Sequence, residues 1–511
     1  MGILSCAPVF SDSMVLQRNK NITVWGMAYD GMKVTVSING KTAEAVTKDH
    51  KWTAVLPAME AGGPYEMTVS SGDEKIVFSD VMIGEVWLAG GQSNMELELQ
   101  NSLDGKKMLE QTDGVNVRFY YTKKNSYIDE FFYADERNSG WAKASKDNSA
   151  AWSAVGYYFA KKLSEDLGVT VGVIGCNWGG TSASAWISRE MLCSDADTKS
   201  YVDEYDAAMD GKTFEEYCAE LDDYNAYVEQ WQPKINEFYT KNPEGEWGDA
   251  LKFAGPCRYP EPLGPKSPFR AGGVYETMLK RVCPYTLAGF IYYQGESDDH
   301  KPNIYYKLLK MLIEQWRSDW NDDKLPFIFV QLPMYISRGE KDNARWCPIR
   351  EAQMRVHLTT ANTGIAVCLD CGEFSNIHPL DKKPVGERLE LQALYHVYDK
   401  IEADKAYGAV YRSVLFADGK AVLSFDHADG GFDVKGDITG FEIAGEDRIY
   451  HKAEAVIDGE RIIISSSEVS DPKYARYCWI NYGEVTVFSK NGIPLAPFRT
   501  SRNDGFTVVT E

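Results

Sequence analysis

The sequence has little positive charge and few histidines. Its 511 residues include 54 Lys and Arg against 75 Asp and Glu, which gives a net charge of −21. A nucleic-acid-binding protein needs a basic surface that displaces counterions from phosphates, so this composition argues against a nucleic-acid partner. With only seven histidines in the chain, few positions can supply an imidazole base.

The sequence also lacks a long apolar run and a disulfide framework. No stretch of 18 apolar residues is present, and the first ten residues, MGILSCAPVF, contain no basic segment. These features predict neither a membrane span nor a signal peptide. Ten cysteines are scattered along the chain, as is typical of reduced thiols, so we expect a cytoplasmic location. Cys368 and Cys371 form a lone CxxC without a second pair at zinc-ligand spacing, and no metal site is predicted.

The length and the hydrophobic patterning predict several domains. Residues 1–82 contain short alternating apolar runs separated by Gly and Asp turns, a pattern typical of a β-sandwich. Residues 401–511 return to the same kind of pattern and predict a C-terminal β domain. No internal repeat or low-complexity segment separates these regions.

Residues 83–400 alternate between apolar strands and amphipathic helices. Continuous apolar runs such as GEVWLA, VTVGVIG and LPFIFVQ alternate with helical patterns such as AVGYYFAKKLSEDLG. This order predicts an α/β domain whose parallel sheet is covered on both faces. Residues 187–254 form an acidic, aromatic-rich helical insertion. The insertion is either a lid over the site or a surface decoration.

Four polar or glycine-rich clusters follow the predicted strands of this domain. They read GGQSN, NWGGT, YQGESD and SNIHP, in chain order. In open α/β sheets, ligands bind at the carboxyl ends of the strands, so we expect the four clusters to meet at one edge.

Ser93 and His378 are the candidate nucleophile and base. Serine catalysis needs a positioned hydroxyl, an imidazole base, an orienting acid and oxyanion donors. Ser93 follows a Gly-Gly turn that either presents its hydroxyl or merely starts a helix. His378 is favoured over its competitor His300 because it lies in a turn just beyond the last predicted strand.

The four clusters and their order resemble the SGNH-hydrolase superfamily. The runs GEVWLAGGQSNMELEL, GCNWGGTSASAW, IYYQGESD and SNIHPLDKKPVGERL are more narrowly similar to the sialate O-acetylesterase family of carbohydrate esterases. The flanking runs PVFSDSMVLQRNKNITVWG and GIPLAPFRTS extend the resemblance over nearly the whole chain. The resemblance implies a flavodoxin-like, three-layer hydrolase core with a parallel sheet, flanked by all-β sandwich regions.

The resemblance also implies roles for individual residues. Ser93 would be the nucleophile and His378 the general base. The N–H groups of Ser93 and Gly179 would hold the oxyanion, with Gly180 as the neighbouring alternative to Gly179. Gln294 would supply a third donor, since Ser297 stands where many SGNH enzymes have an asparagine.

The orienting acid departs from the superfamily pattern. The position three residues before His378 is Ser375 rather than aspartate. Glu296 is favoured as the acid, and Asp298 and Asp370 are alternatives. A Ser-His dyad in which a backbone carbonyl orients the imidazole is the remaining option.

The predicted function is removal of O-acetyl groups from a sugar without a cofactor. Within the resemblance, sialate is the expected substrate, and acetylated xylan or mannan oligosaccharides are alternatives. Arg270 is the candidate partner for a sialate carboxylate. A non-catalytic carbohydrate-binding protein and an acyl-chain esterase are the competing interpretations.

Overall fold

The computed structural model describes residues 4–243 and 245–504. Its first β-strands are short, and alternate residues along several of them face the core, as the period of two in the sequence predicts. The strands up to Gly91 are β1 (Ser5–Cys6), β2 (Val15–Gln17), β3 (Ile22–Met27), β4 (Lys33–Ile38), β5 (Lys41–Val46), β6 (Lys51–Leu56), β7 (Gly62–Ser71) and β8 (Glu74–Gly91).

The middle of the chain alternates strands and helices. Its strands are β9 (Val117–Tyr121), β10 (Trp141–Lys143), β11 (Val171–Asn177), β12 (Gly289–Tyr293), β13 (Phe327–Gln331) and β14 (Thr363–Val367). Its helices are α1 (Ser93–Glu96), α2 (Gly105–Leu109), α3 (Glu130–Glu136), α4 (Lys146–Ser149), α5 (Ala154–Leu167), α6 (Arg189–Leu192), α7 (Lys199–Met209), α8 (Phe214–Lys241), α9 (Trp247–Ala254), α10 (Lys280–Val282), α11 (Tyr305–Asp319), α12 (Trp346–Thr359), α13 (Lys383–His396) and α14 (Ala403–Ala406). Short 3₁₀ turns lie at Leu99–Asn101, Ala183–Trp186, Glu296–Asp298 and Leu369–Cys371, and a π-helical turn lies at Tyr275–Leu279.

The central sheet has the strand order β10-β9-β11-β8-β12-β13-β14. All its neighbours pair in parallel except β10, which runs antiparallel along the edge. The predicted α/β class is therefore confirmed. Strand β8 lies in the middle, with β9, β10 and β11 on one side of it and the later strands β12, β13 and β14 on the other. Such a switch point is where open α/β sheets bind ligands.

Helices pack in pairs against this sheet. Helix α5 contacts α13, and α11 contacts α12. Helix α5 begins at the Ser153 cap and ends at Gly168, whose φ of 66° is the left-handed conformation that terminates helices. Within the described residues, no helix combines the length and the apolar character needed to cross a membrane.

The helical insertion has a small core of its own. Helix α8 is 28 residues long and packs against α9 through Trp231, Ile235, Ala250 and Ala254. After α9, the chain is tied back to α8 by Trp231 Nε1, which donates to the Gly255 carbonyl at 2.9 Å. The loop that follows returns towards the central sheet.

The C-terminal segment is built from β-strands in small antiparallel sheets. These strands are β15 (Val410–Ala417), β16 (Lys420–Asp426), β17 (Phe432–Val434), β18 (Phe441–Ala444), β19 (Tyr450–Lys452), β20 (Glu454–Asp458), β21 (Arg461–Ser465), β22 (Tyr474–Tyr477), β23 (Val487–Ser489) and β24 (Phe498–Arg499). The run YCWINYG (477–483), which the sequence predicts as β, leaves the strand after Tyr477. The carbonyls of Ile480 and Asn481 there accept hydrogen bonds from buried Arg350 instead of pairing in a sheet.

Candidate active site

The turn before Ser93 forms because β8 ends between two strands with no room for side chains. Gly91 has a φ of 132°, and a Cβ there would lie 2.1 Å from the Tyr293 carbonyl oxygen. Only glycine suits this position. The Gln92 N–H then donates to the same carbonyl at 3.1 Å, and helix α1 starts at Ser93. The glycines therefore let the chain turn at the end of β8 while it is still buried between the neighbouring strands. Ser93 is left half-buried at the edge of the sheet.

Ser93 and His378 lie in direct contact. The Ser93 Oγ is 2.8 Å from His378 Nε2, although 285 residues separate them in the chain. His378 follows β14 and precedes α13, so the carboxyl edge of the parallel sheet brings the two together. Burial lowers the pKa of His378, the nearby positive charge of Lys382 lowers it further, and Glu96 opposes this shift. A neutral imidazole at this distance can accept the hydroxyl proton.

The loop that carries His378 is held by its own polar side chains. The backbone N–H of His378 donates to Asn376 Oδ1 at 3.1 Å, and Asn376 Nδ2 donates to Glu373 at 2.7 Å. Ser375 has a φ of 60°, and its N–H donates to the Ile336 carbonyl. Among the residues described, none accepts a hydrogen bond from His378 Nδ1.

Glu296, the favoured orienting acid, is separated from the loop that carries His378 by one side chain, that of Asn94. Its Oε1 accepts a 2.6 Å hydrogen bond from Asn94 Nδ2, and the same amide nitrogen donates to the Ile377 carbonyl at 2.9 Å. Burial raises the pKa of Glu296, while the Asn94 hydrogen bond and Lys382 lower it. Glu296 thus contacts the histidine loop through Asn94 and not the imidazole itself, and its role as orienting acid stays a prediction.

The two alternative acids are bound elsewhere. Asp298 is fully buried and accepts hydrogen bonds from Ser182, the Ala183 N–H, Tyr201 and Gln294. Asp370 forms a two-point ion pair with Arg388, at 2.5 and 2.8 Å. Both carboxylates are therefore bound by these partners and not by His378.

Gly179 lies beside Ser93, and its role as an oxyanion donor stays a prediction. A Cβ on Gly179 would lie 3.2 Å from Ser93 Cβ, so a larger residue there would require a small shift of Ser93. Its N–H, however, donates to Glu96 Oε2 at 2.6 Å, and Lys124 pairs with the same carboxylate. Glu96 thus contacts the candidate oxyanion donor, and the sequence patterns do not predict this contact. Its one signal is its place three residues after Ser93, on the same helical turn.

Gln294 and Arg270 are not directed at Ser93. The Gln294 amide is buried and donates to Asp298 at 2.5 Å, while its oxygen accepts from Tyr305. The Arg270 guanidinium donates to the carbonyls of Pro265 and Ser126. Their proposed roles in oxyanion and sialate binding stay predictions without a supporting contact.

Two further residues lie close to neighbours of Ser93 in the site. Lys382 is buried and donates to Asn94 Oδ1 at 2.5 Å. Tyr259, carried on the loop after α9, is 59% exposed, and its hydroxyl would lie 2.4 Å from a Cβ at Gly180. The described residues contain no cluster of three or more His, Cys, Asp or Glu side chains placed to hold a metal ion.

Known proteins resemble this chain over most of its length. Residues 266–378 match a family model described as carbohydrate esterase, sialic acid-specific acetylesterase. The sialate O-acetylesterase of Mus musculus is 27% identical over 423 residues, which covers 76% of this chain and 72% of the relative. That of Homo sapiens is 25% identical over 421 residues, which covers 76% and 70%.

A solved structure extends the resemblance to the flanking β segments. The crystal structure of a carbohydrate acetylesterase from Xanthomonas citri is 28% identical and superposes with a TM-score of 0.76. The match covers 98% of this chain and 99% of the other.

Proposed function

Because this chain resembles the sialate O-acetylesterase family in sequence and a carbohydrate acetylesterase in fold, we propose that it removes O-acetyl groups from sugars. The observation that carries the proposal is the 2.8 Å contact between Ser93 Oγ and His378 Nε2. A serine hydroxyl within hydrogen-bond reach of an imidazole is the arrangement that serine esterases need.

The proposed reaction begins with proton transfer from Ser93 to His378. The hydroxyl oxygen attacks the acetyl carbonyl, and His378 returns the proton to the departing sugar oxygen. Water, deprotonated by the same imidazole, then attacks the acetyl-enzyme and releases acetate. Each proton transfer uses Nε2, which faces the nucleophile. The lowered pKa of His378 supports this role because it keeps the base neutral at pH 7.

We propose that the backbone N–H groups of Ser93 and Gly179 stabilise the oxyanion. Gly179 lies beside Ser93, and fixed N–H donors of this kind contribute about 3 kcal/mol each in serine hydrolases. In the free protein, Glu96 accepts the Gly179 N–H. This N–H therefore already binds a negatively charged oxygen. In the reaction, the developing oxyanion would replace Glu96 as its acceptor. Gly180 stays the alternative donor.

Around this site, we infer the three-layer SGNH arrangement with flanking all-β sandwich regions. The α5–α13 and α11–α12 pairs and the parallel sheet support it. We also propose a cytoplasmic location, with no nucleic-acid or membrane partner. The net charge of −21 and the ten cysteines, all of them free thiols, support this.

Acetate release from a substrate panel tests the function. The panel contains 9-O-acetylated sialic acid, acetylated xylo- and manno-oligosaccharides, and nitrophenyl acetate. Wild type should release acetate from at least one sugar, and Ser93→Ala should lose the activity by about 10⁴-fold or more. The sugar turned over with the highest kcat/KM identifies the substrate class, with sialate expected from the relatives' names. Equal release by both proteins would contradict the role of Ser93 as the nucleophile. No release by either protein from any substrate would contradict the proposed activity and favour a carbohydrate-binding role.

A further inference from the structure

Asn94, the residue after the nucleophile, is fully hydrogen-bonded inside the protein. Its Nδ2 donates to Glu296 Oε1 at 2.6 Å and to the Ile377 carbonyl at 2.9 Å. Its Oδ1 accepts from Lys382 Nζ at 2.5 Å. A carboxylate and a carbonyl can only accept, and an ammonium can only donate, so the orientation of this amide is fixed by its partners.

Lys382 is an unusual buried cation. Only 1% of its surface is exposed, and its ammonium lies 5.3 Å from the centre of the Tyr293 ring. Burial lowers the pKa of Lys382 to about 8, and the negative charge of Glu296 opposes that shift. The ammonium is therefore charged at neutral pH. Asn94 stands between this cation and the buried carboxylate of Glu296.

This network ends on the residue that precedes the base. The Ile377 carbonyl, which accepts from Asn94, belongs to the peptide that leads into His378. No described acid holds His378 Nδ1, so the imidazole is positioned through its backbone. A base placed 1 Å away from its working position costs about 100-fold in rate.

We propose that Lys382 is a positioning residue of the active site, which holds His378 against Ser93 through Asn94 and the Ile377 carbonyl. The inference rests on the proposed esterase function. In this arrangement a buried cation and an amide supply only the orientation of the imidazole that an acid at Nδ1 supplies in a Ser-His-Asp triad, because the positive charge of Lys382 does not stabilise the imidazolium. Glu296 compensates the charge of Lys382 and binds the second hydrogen of the Asn94 amide.

A comparison of Lys382→Met with Lys383→Met tests the proposal. Methionine keeps most of the length of the lysine side chain and removes its charge. Lys383 is the next residue, is largely exposed and pairs with Glu387 on the surface, so its variant is the matched control. We expect Lys382→Met to lose about 100-fold in kcat for nitrophenyl acetate with little change in KM, and Lys383→Met to match wild type.

Inactivation by an organophosphate gives a second readout. Its rate reports the reactivity of Ser93 without a sugar substrate, and it should fall in Lys382→Met in parallel with kcat. Thermal unfolding verifies that each variant is folded at the assay temperature. If Lys382→Met does not fold, Lys382→Gln, which keeps a polar end without the charge, is measured in its place.

A double-mutant cycle with Asn94→Ala tests whether Lys382 acts on His378 through Asn94. If Lys382 acts through Asn94, adding Lys382→Met to Asn94→Ala should change kcat by less than about threefold, because the linked pair fails as a unit. Losses that multiply would overturn this route. A Lys382→Met variant that loses only stability would overturn the positioning role. A wild type that neither reacts with the organophosphate nor cleaves nitrophenyl acetate would instead contradict the esterase function itself.

Discussion

At the residue scale, two charges of opposite sign act on His378. Lys382 lowers the pKa of the imidazole and Glu96 raises it, while burial, the largest influence, lowers it. The base works only when neutral. The activity is therefore fully present above the His378 pKa and is lost as the pH falls through that value, which lies below the ordinary 6.5.

Glu96→Gln should move this acid limb to lower pH. The substitution removes the negative charge that favours the imidazolium, so the His378 pKa falls further. The measurement is kcat/KM for nitrophenyl acetate between pH 4 and 8, fitted for the midpoint separately from the plateau. The plateau itself reports the Gly179 contact, because the neutral amide is a weaker acceptor for that N–H.

Glu98→Gln is the control for this titration. Glu98 is two residues further along, and its carboxylate binds the side chains of Gln100 and Asn101 at the surface. Its variant should keep the wild-type midpoint. An acid limb that moves to higher pH in Glu96→Gln would show that the carboxylate does not stabilise the protonated base.

At the element scale, the loop after the helical insertion places one aromatic side chain beside Gly180. Helices α8 and α9 pack on each other, and the loop beyond them places Tyr259 against the Gly180 turn. The ring packs edge-on against Phe269, yet 59% of the residue is exposed. An exposed aromatic ring beside the Gly180 turn is suited to contact the apolar face of a sugar. We therefore expect Tyr259 to contact the substrate.

Tyr259→Ala should weaken sugar binding and spare the chemical step. We expect KM for the acetylated sugar to rise about tenfold, which corresponds to about 1.4 kcal/mol, with kcat and the nitrophenyl acetate rate little changed. Tyr29→Ala is the control, because Tyr29 is 58% exposed and lies in the N-terminal β segment. An equal rise in KM for nitrophenyl acetate would argue against a sugar contact.

Sequence patterns predict the strands and their ends better than the contacts made there. Apolar runs and Gly turns are local signals, and they located β8, β11, β12 and the Ser93 and His378 turns. The partners of Asn94 lie 202 and 288 residues away, and only packing selects them. For the same reason, Gln294 was expected at the oxyanion, whereas the buried Asp298 holds its amide.

At the scale of the whole molecule, the segments share structure. Strand β8 pairs with β7 of the N-terminal segment and then with β11 and β12 of the central sheet. The predicted boundary at residue 82 falls within this strand. One cluster of buried apolar side chains includes members from Leu4 to Phe498. We therefore expect the described segments to unfold together.

Arg350 on α12 joins the C-terminal segment to the hydrolase core. It is fully buried and donates to the carbonyls of Leu332 and Pro333, which follow β13, and to those of Ile480 and Asn481. The same loop after β13 supplies the Ile336 carbonyl that holds Ser375 of the histidine loop. The C-terminal segment is thus linked to the loop that carries His378 through Arg350 and the residues after β13.

Arg350→Met should destabilise the whole protein in a single transition. The variant leaves buried carbonyls without a donor, at a cost of about 3 kcal/mol in the free energy of unfolding. Arg412→Met, at an exposed ion pair with Asp426 in the C-terminal segment, should cost less than about 1 kcal/mol. Differential scanning calorimetry measures both. Because β8 and the core are continuous, one cooperative peak should shift to lower temperature, and a separate early transition in Arg350→Met would show that the C-terminal segment unfolds on its own.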